Sequence, residues 1–435
     1  MTTPIHPTDF TDLGTDQLRR TQSERLAALI ERLRAVDSPF WARKLTGVGE
    51  VRSVDDLGTL PVTEKAEFRE AYPTGMLAVP LTDVVRVHAS SGTSGKPTIV
   101  AYTADDIAVF AEVNARALAL AGGTADSVVQ VAYGYGLFTG GLGLHYGVEA
   151  LGATAVPASG GNPGFQAQLI ADLGVDGLAC TPSFALLLAE RAEADGLMGD
   201  IGLRWGIHGA EPWSEGLRTK IEEAWGGDYS AVDIYGLSEI IGPGVAAEWA
   251  AHPGTLVIAE DHFYPEVVDP FSGEPVAEGE LGELVLTTLT KQAQPVLRYR
   301  TGDITRLLPP EGGLPFRRID RLQGRVDDML IIRGINVYPR EIETVLLADP
   351  DLGGQYAIVV DRRGTLDEVE VRVETAHEAS DPARAEIATR LAAELMESVR
   401  LRIAVDVRNP GGVPRQEVGK AKRVFERTGD VDPVG

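Results

Sequence analysis

At 435 residues the chain exceeds the usual single-domain range, so two domains are the starting expectation. Its 44% hydrophobic and 24% charged content is that of an ordinary globular protein, and the net charge of −24 argues against nucleic acid or an anionic membrane surface as partner. A single cysteine, Cys180, excludes an intrachain disulfide and any cysteine-based zinc site. Met1–Asp16 has no basic segment followed by an apolar run, and no apolar stretch reaches membrane-spanning length. A cytoplasmic protein is the expectation.

Gln17–Arg43 carries leucines and alanines at three- and four-residue spacing and reads as helical. Val84-Val85-Arg86-Val87 is a short strand pattern that leads into Ser90-Ser91-Gly92-Thr93-Ser94-Gly95-Lys96-Pro97. Glycines let a backbone approach a ligand closely, exposed N–H groups make an anion-binding concavity, and hydroxyls and Lys96 add donors. The segment suits a phosphate cradle, although alone it reads equally well as a flexible connector. It is not a P-loop, because the G-x-x-x-x-G-K-[ST] spacing is absent.

Downstream, strand patterns at Ser127–Ala132, Ala155–Pro157 and Gly177–Cys180 are separated by helical patterns at Asp105–Ala121, Gly140–Leu151 and Gly164–Leu173. This alternation predicts an α/β architecture with substantial parallel sheet. Asp233-Ile234-Tyr235-Gly236-Leu237-Ser238-Glu239 is a β-type run that breaks at glycine into a hydroxyl and a carboxylate. Near a phosphate loop, Glu239 suits Mg²⁺, which takes few carboxylates plus phosphate oxygens. Glu280–Thr287 reads as a further strand, and Tyr299-Arg300-Thr301-Gly302-Asp303 ends in an aspartate able to accept from a ribose hydroxyl pair or to cap a turn.

The texture changes after Arg325. Helices are expected at Arg340–Ala348 and Pro382–Arg400, a hairpin from Gln355–Asp361 and Glu368–Thr375, and a strand at Ile403–Arg408. The expected organisation is therefore a large α/β domain over 1–326, rich in parallel sheet, and a small mobile α+β domain over 327–435. Pro414-Arg415 leads through Gly419-Lys420-Ala421-Lys422-Arg423 near the end of the chain.

In this order the segments resemble the adenylate-forming superfamily of acyl-CoA synthetases and adenylation domains, above all its phenylacetate–CoA ligase branch. Tyr133-Gly134-Tyr135-Gly136-Leu137-Phe138-Thr139-Gly140-Gly141, Gly209-Ala210-Glu211-Pro212-Trp213 and Asp261-His262-Phe263-Tyr264-Pro265-Glu266 belong to the same likeness, which covers nearly the whole chain. The resemblance implies ATP, Mg²⁺ and coenzyme A as cosubstrates and cofactor. It implies that Ser90, Ser91, Gly92, Thr93, Ser94, Gly95 and Lys96 hold the ATP phosphates. Gly209, Ala210, Glu211 and Pro212 would line the adenine, flanked by Asp233, Tyr235 and Gly236, with Ser238 at the adenylate and Glu239 on the metal. Asp303 would bind the ribose, Arg325 ribose or phosphate, and Asp327 would be a hinge. Lys420, in preference to Lys422, would be a mobile catalytic lysine.

The acyl pocket is expected to be lined by Tyr133, Tyr135, Gly136, Leu137, Phe138, Ala210, Ile234 and Tyr235, and aromatic walls of this kind suit a flat ring. The expected reaction is adenylation of an aromatic or arylacetic acid and transfer to coenzyme A. A carrier protein or an amine is the alternative acceptor, and a non-catalytic adenylate-binding protein the alternative of another class. A homodimer is implied only by the likeness. Some relatives carry a cysteine near the metal-ligand loop as part of a zinc cluster. Here Gly242-Pro243-Gly244 leads to Trp249, and His252 and His262 are expected to be structural.

Overall fold

The computed structural model describes residues 14–90, 97–211, 214–226, 228–326, 330–332, 335–363, 367–414, 423–429 and 431–434. Two compact units emerge: Met1–Cys180 with Arg191–Ala210 and Asp228–Leu322, and Thr181–Glu190 with Glu211–Gly227 and Gln323–Gly435.

The chain opens with helices α1 (Thr15–Ala35) and α2 (Pro39–Lys44) where one continuous helix is expected. Pro39 accounts for the break. It disfavours helical geometry in the residue before it, and Ser38 is extended and caps α2 by accepting from the Trp41 N–H. Helix α3 (Lys65–Glu70) and the hairpin β1 (Arg86–Ser90)–β2 (Thr98–Tyr102) follow.

Next come α4 (Ala104–Leu120), β3 (Val128–Val131), α5 (Thr139–Leu151), β4 (Thr154–Val156), α6 (Pro163–Leu173), β5 (Gly177–Cys180), α7 (Pro182–Ala194), β6 (Trp205–Gly209), α8 (Glu215–Trp225) and β7 (Ser230–Leu237). The alternation read from the sequence is thus present, and β4, β3, β5, β6 and β7 are joined by parallel pairings. Beyond β7 the sheet turns antiparallel through β8 (Gly242–Trp249), β9 (His252–Ile258), β10 (Phe263–Val268), β11 (Leu281–Thr288), β12 (Tyr299–Leu308) and β13 (Arg318–Asp320). The continuous order is β10-β11-β12-β13-β9-β8-β7-β6-β5-β3-β4. The switch is geometric: a short turn joins β7 to β8, and a parallel return would need a crossover of a dozen or more residues.

Helices α4 and α5 pack on each other and on β8. A Cβ on Gly147 would come within 2.5 Å of the Asn114 Cβ, so glycine is what lets the two helices approach. One apolar cluster (Trp41, Tyr102, Phe110, Tyr235, Ile240, Ile241, Leu286) and a second (Leu118, Val131, Tyr133, Leu144, Ile207, Ile234) fill this unit.

In the second unit lie β14 (Gly324–Arg325), the hairpin β15 (Leu330–Ile332)–β16 (Ile335–Val337), α9 (Pro339–Ala348), β17 (Leu352–Asp361), β18 (Glu368–Thr375), α10 (Asp381–Val399), β19 (Ala404–Arg408) and β20 (Val424–Arg427). The sheet order is β19-β18-β17-β20, with the expected hairpin at its centre and parallel strands on either side. Ile342 and Leu346 of α9 and Leu391 and Leu395 of α10 cover it, at the helical spacing visible in the sequence. Among the described residues no helix is long and apolar enough to cross a membrane.

Candidate active site

In open α/β sheets the carboxyl ends of parallel strands form the natural ligand crevice. Here β5 ends at Cys180, β6 at Gly209, and β7 runs through Asp233–Leu237 into Ser238 and Glu239, with His208 paired to Asp233 and Gly209 to Ile234. The expected adenine and metal residues of this unit therefore converge on one edge.

The Tyr133 hydroxyl ties two of these strand ends together. It donates to the Cys180 carbonyl at 2.7 Å and accepts the Gly209 N–H at 2.8 Å. The residue is 4% exposed. Its polar end fixes the start of the Gly209-Ala210 turn, where Ala210 adopts a left-handed φ of +68°. On β7, side chains alternate between faces. Ile234 joins the cluster of Tyr133, with Tyr135 and Ala210 packed against it, whereas Tyr235 falls in the other cluster and donates to Asp303 Oδ2 at 2.6 Å. Asp303 is 3% exposed, and its N–H bonds Thr301 Oγ1. Gly236 must be glycine, since a Cβ there would lie 1.7 Å from the Gly242 carbonyl.

Gly136, at φ +121°, turns the Tyr133–Phe138 loop. The Leu137 carbonyl accepts the Ala89 N–H at 2.9 Å and lies 3.1 Å from His88 Nδ1, while the Leu137 and Phe138 side chains remain exposed. Tyr135 lies 3.4 Å from His145 Nδ1, and His145 Nε2 lies 3.2 Å from Glu149. Burial raises the Tyr135 phenol to about 12. It is a neutral hydroxyl at any physiological pH.

Glu239 sits in the β7–β8 turn, buried, with its Oε1 3.5 Å from Lys65 Nζ at the first turn of α3. A buried carboxylate in a turn at a strand end suits a hard metal ion, which takes few carboxylates plus phosphate oxygens. Next to it, the Ser238 and Thr139 hydroxyls lie 3.3 Å apart. Beneath the turn, fully buried Lys291 donates to the Glu239 carbonyl at 3.1 Å, and burial pushes its ammonium down to about 8 against the pull of Asp106 and Glu239. Lys65 and Lys291 have no counterpart among the residues singled out from the sequence, whereas Thr139 lies in the Tyr133–Gly141 motif without a role of its own. A lone lysine in a Thr-Leu-Thr-Lys-Gln run gives no periodic or motif signal.

In the second unit the Glu211 carboxylate accepts from the Ser183 hydroxyl at 2.9 Å and from its N–H at 3.3 Å, and Arg325 lies half-buried on β14. Ser91, Gly92, Thr93, Ser94, Gly95, Lys96, Pro212, Asp327, Lys420 and Lys422 lie outside the described residues. Ser90 ends β1.

The two histidines downstream of Gly242-Pro243-Gly244 have separate partners. His252 packs on Trp249, whereas His262 joins Glu112 and Asp261, whose donor atoms cluster within 4.8 Å. The guanidinium of Arg116 spans both Asp261 oxygens at 2.8 and 2.9 Å. Burial pushes that carboxyl up, but Arg116 and His262 hold it at about 2. This is an ion-pair network with its cation already in place.

The family model described as AMP-binding enzyme matches residues 22–289, and that described as AMP-binding enzyme C-terminal domain matches residues 334–428. The chain is 46% identical over 421 residues to a phenylacetate-coenzyme A ligase of Aromatoleum evansii, covering 95% of each. It is 46% identical to the phenylacetate-coenzyme A ligase of Escherichia coli (strain K12), covering 94% of this chain and 95% of that one. Among solved structures, 2-hydroxyisobutyryl-CoA ligase in the postadenylation state with R3-HIB-AMP matches with a TM-score of 0.89 at 27% identity, over 97% of this chain and 92% of that one.

Proposed function

The chain belongs to the AMP-binding enzyme family, in its phenylacetate–coenzyme A ligase branch, and from that premise we propose how its residues carry out the ligation. It is an AMP-forming acid–thiol ligase that takes ATP, Mg²⁺ and coenzyme A and converts an aromatic or arylacetic acid to its thioester through an acyl-adenylate. What carries the reading is the buried Glu239 beside the Tyr235–Asp303 pair at the carboxyl edge of the parallel strands, in a chain 46% identical to phenylacetate ligases.

A carboxylate resists substitution because its leaving group would be oxide. Attack of its oxygen on the α-phosphorus of ATP forms a new P–O bond, expels pyrophosphate and leaves the acyl group on AMP. Two anions must meet, so placed cations and donors supply much of the rate. Lys420 and the Ser90–Lys96 loop are the chain's own candidates for this task. Glu239 would hold Mg²⁺, whose charge offsets that of the phosphates when bound. Asp303, oriented by Tyr235, would accept from the ribose hydroxyls, and the Gly209-Ala210 turn would face the adenine.

In the second half-reaction the coenzyme A thiolate attacks the acyl carbon and AMP leaves. We take residues 327–435 as a mobile domain that pivots at Asp327 and withdraws Lys420 before this step, a gating motion of the hinge type. Tyr135 and Phe138 would border the aryl ring. Free coenzyme A is the proposed acceptor. A carrier protein with acidic surface would meet like charge on a chain of net −24.

The test is a mass-spectrometric assay with ATP, Mg²⁺, coenzyme A and a panel of aryl and arylacetic acids. An aryl-CoA product with stoichiometric AMP is expected. Adenylate without thioester would redirect the search to a carrier protein or an amine, and no turnover with any acid would overturn the ligase assignment.

A further inference from the structure

Lys291 is a fully buried cation that the mechanism above leaves without a task. Its main chain is clamped on several sides. Asp106 accepts the N–H groups of Gln292 (2.6 Å) and Ala293 (2.9 Å), and Arg32 donates to the carbonyls of Lys291 (2.7 Å) and Gln292 (2.9 Å). Gln294 Oε1 accepts the Ala101 N–H at 3.0 Å. So anchored, the lysine side chain runs beneath the β7–β8 turn, with its ammonium 5.0 Å from the centre of the Tyr102 ring.

That turn leaves specific groups to satisfy. The Ile240 and Ile241 N–H groups both bond the Leu237 carbonyl at 3.1 Å, and this uses none of the carbonyls at 239 and 241. Lys291 Nζ donates to the first at 3.1 Å, and the Tyr102 hydroxyl donates to the second at 2.9 Å. Two buried donors therefore pin the main chain on both sides of Ile240, and the Glu239 carboxylate is aimed from that fixed base. A neutral donor would satisfy a carbonyl equally well. Burying an ammonium costs several kcal/mol unless anions repay it. The anions here are Asp106 and Glu239 itself.

We propose that Lys291, assisted by Tyr102, is the positioning residue for the Glu239 turn, holding the metal-binding carboxylate in place and setting the affinity of the site for the divalent cation. This rests on the reading of Glu239 as metal ligand. Groups that orient a metal ligand typically account for about 10–100-fold in metal affinity or activity.

The experiment measures Mn²⁺ binding to the full chain in the presence of ATP by electron paramagnetic resonance, alongside the Mg²⁺ half-saturation of pyrophosphate release. Lys291→Met is expected to weaken Mn²⁺ binding and raise the Mg²⁺ half-saturation by about tenfold, while thioester formation from pre-made acyl-adenylate stays unchanged. Lys291→Gln, which keeps a donor without the charge, is expected to recover part of the loss. Tyr102→Phe removes one turn tether and is expected to shift both readouts in the same direction by a fewfold. Should Lys291→Met fail to fold, Tyr102→Phe decides the matter. Unchanged Mn²⁺ affinity in a folded Lys291→Met variant, or in Tyr102→Phe alone if the former is lost, overturns the assignment. Glu239→Gln separates the two layers. Weakened binding there with none in Lys291→Met removes Lys291 only, whereas unchanged binding in Glu239→Gln removes the metal reading and the Lys291 role with it.

Discussion

Replacing Tyr133 by phenylalanine separates two roles for this ring. As a wall of the acyl pocket its hydroxyl is incidental, and the variant should bind the acid with at most a small change. As the clamp between β5 and β6 it satisfies two buried main-chain groups, the Cys180 carbonyl at 2.7 Å and the Gly209 N–H at 2.8 Å. His208 Nδ1 also lies 3.1 Å from the Cys180 carbonyl, so the loss falls on the Gly209 N–H, and a buried group that loses its partner costs about 1–3 kcal/mol. At roughly 2–4 °C per kcal/mol for a large domain, the unfolding midpoint should fall by about 2–12 °C. If only one bond's net worth, about 1 kcal/mol, is felt at the Gly209-Ala210 turn, the KM for ATP rises about fivefold. The assay is pyrophosphate release with ATP and acid varied separately, paired with calorimetry. A rise in the KM for acid with ATP unaffected and no thermal shift would refute the clamp.

Three other outcomes follow from the same geometry. Lys420→Ala should lower adenylation by about 10²–10³, the loss expected for one well-placed donor, and spare thioester formation from supplied adenylate; equal loss in both half-reactions would sink the hinge. Asp303→Asn should raise the KM for ATP by about 10–100-fold, because a charged acceptor is worth about 1.5–3 kcal/mol, and an ATP analogue lacking the ribose hydroxyls should narrow the gap between variant and parent. In the second unit, burial raises the Glu343 carboxyl from 4.5 to about 7, against the pull of Arg423 and the Tyr356 hydroxyl. The folded state therefore holds a proton that the unfolded state releases, and stability falls as pH climbs from about 4.5 to about 7. At about 1.4 kcal/mol per pH unit this amounts to about 3 kcal/mol. Glu343→Gln should then be close to neutral at pH 4.5 and stabilising at pH 8; denaturation curves showing the same difference at both would dismiss it.

The element order was legible wherever periodicity was strong. The strands Glu368–Thr375 and Gly177–Cys180 have the bounds that their patterns predict, whereas the strand expected at Gln355–Asp361 starts three residues earlier, at Leu352. The early helix reads as continuous because its leucine spacing runs on across Pro39, whereas the steric demand of proline on Ser38 outweighs the pattern in the fold. At the site, motif order gathered Asp233, Tyr235 and Glu239 at one strand end. It assigned Ile234 and Tyr235 to one pocket, although neighbouring strand residues face opposite ways and the two fall in different clusters. Lys291 and Lys65 are not legible in the sequence for a related reason. Their importance lies in contacts across 52 and 174 positions of chain, and no local spacing encodes those.

The lone thiol bears on how the enzyme can be watched at work. Cys180 lies fully buried at the end of β5, its sulfur 3.7 Å from His208 Nδ1, so a maleimide dye should leave the folded protein unlabelled. A pair of cysteines introduced on the surface, one in each compact unit, would take fluorophores against a dark background without first removing the native residue. The same thiol would become reactive only on unfolding of its strand, so its labelling rate in dilute denaturant would clock the opening of the carboxyl edge of the parallel strands.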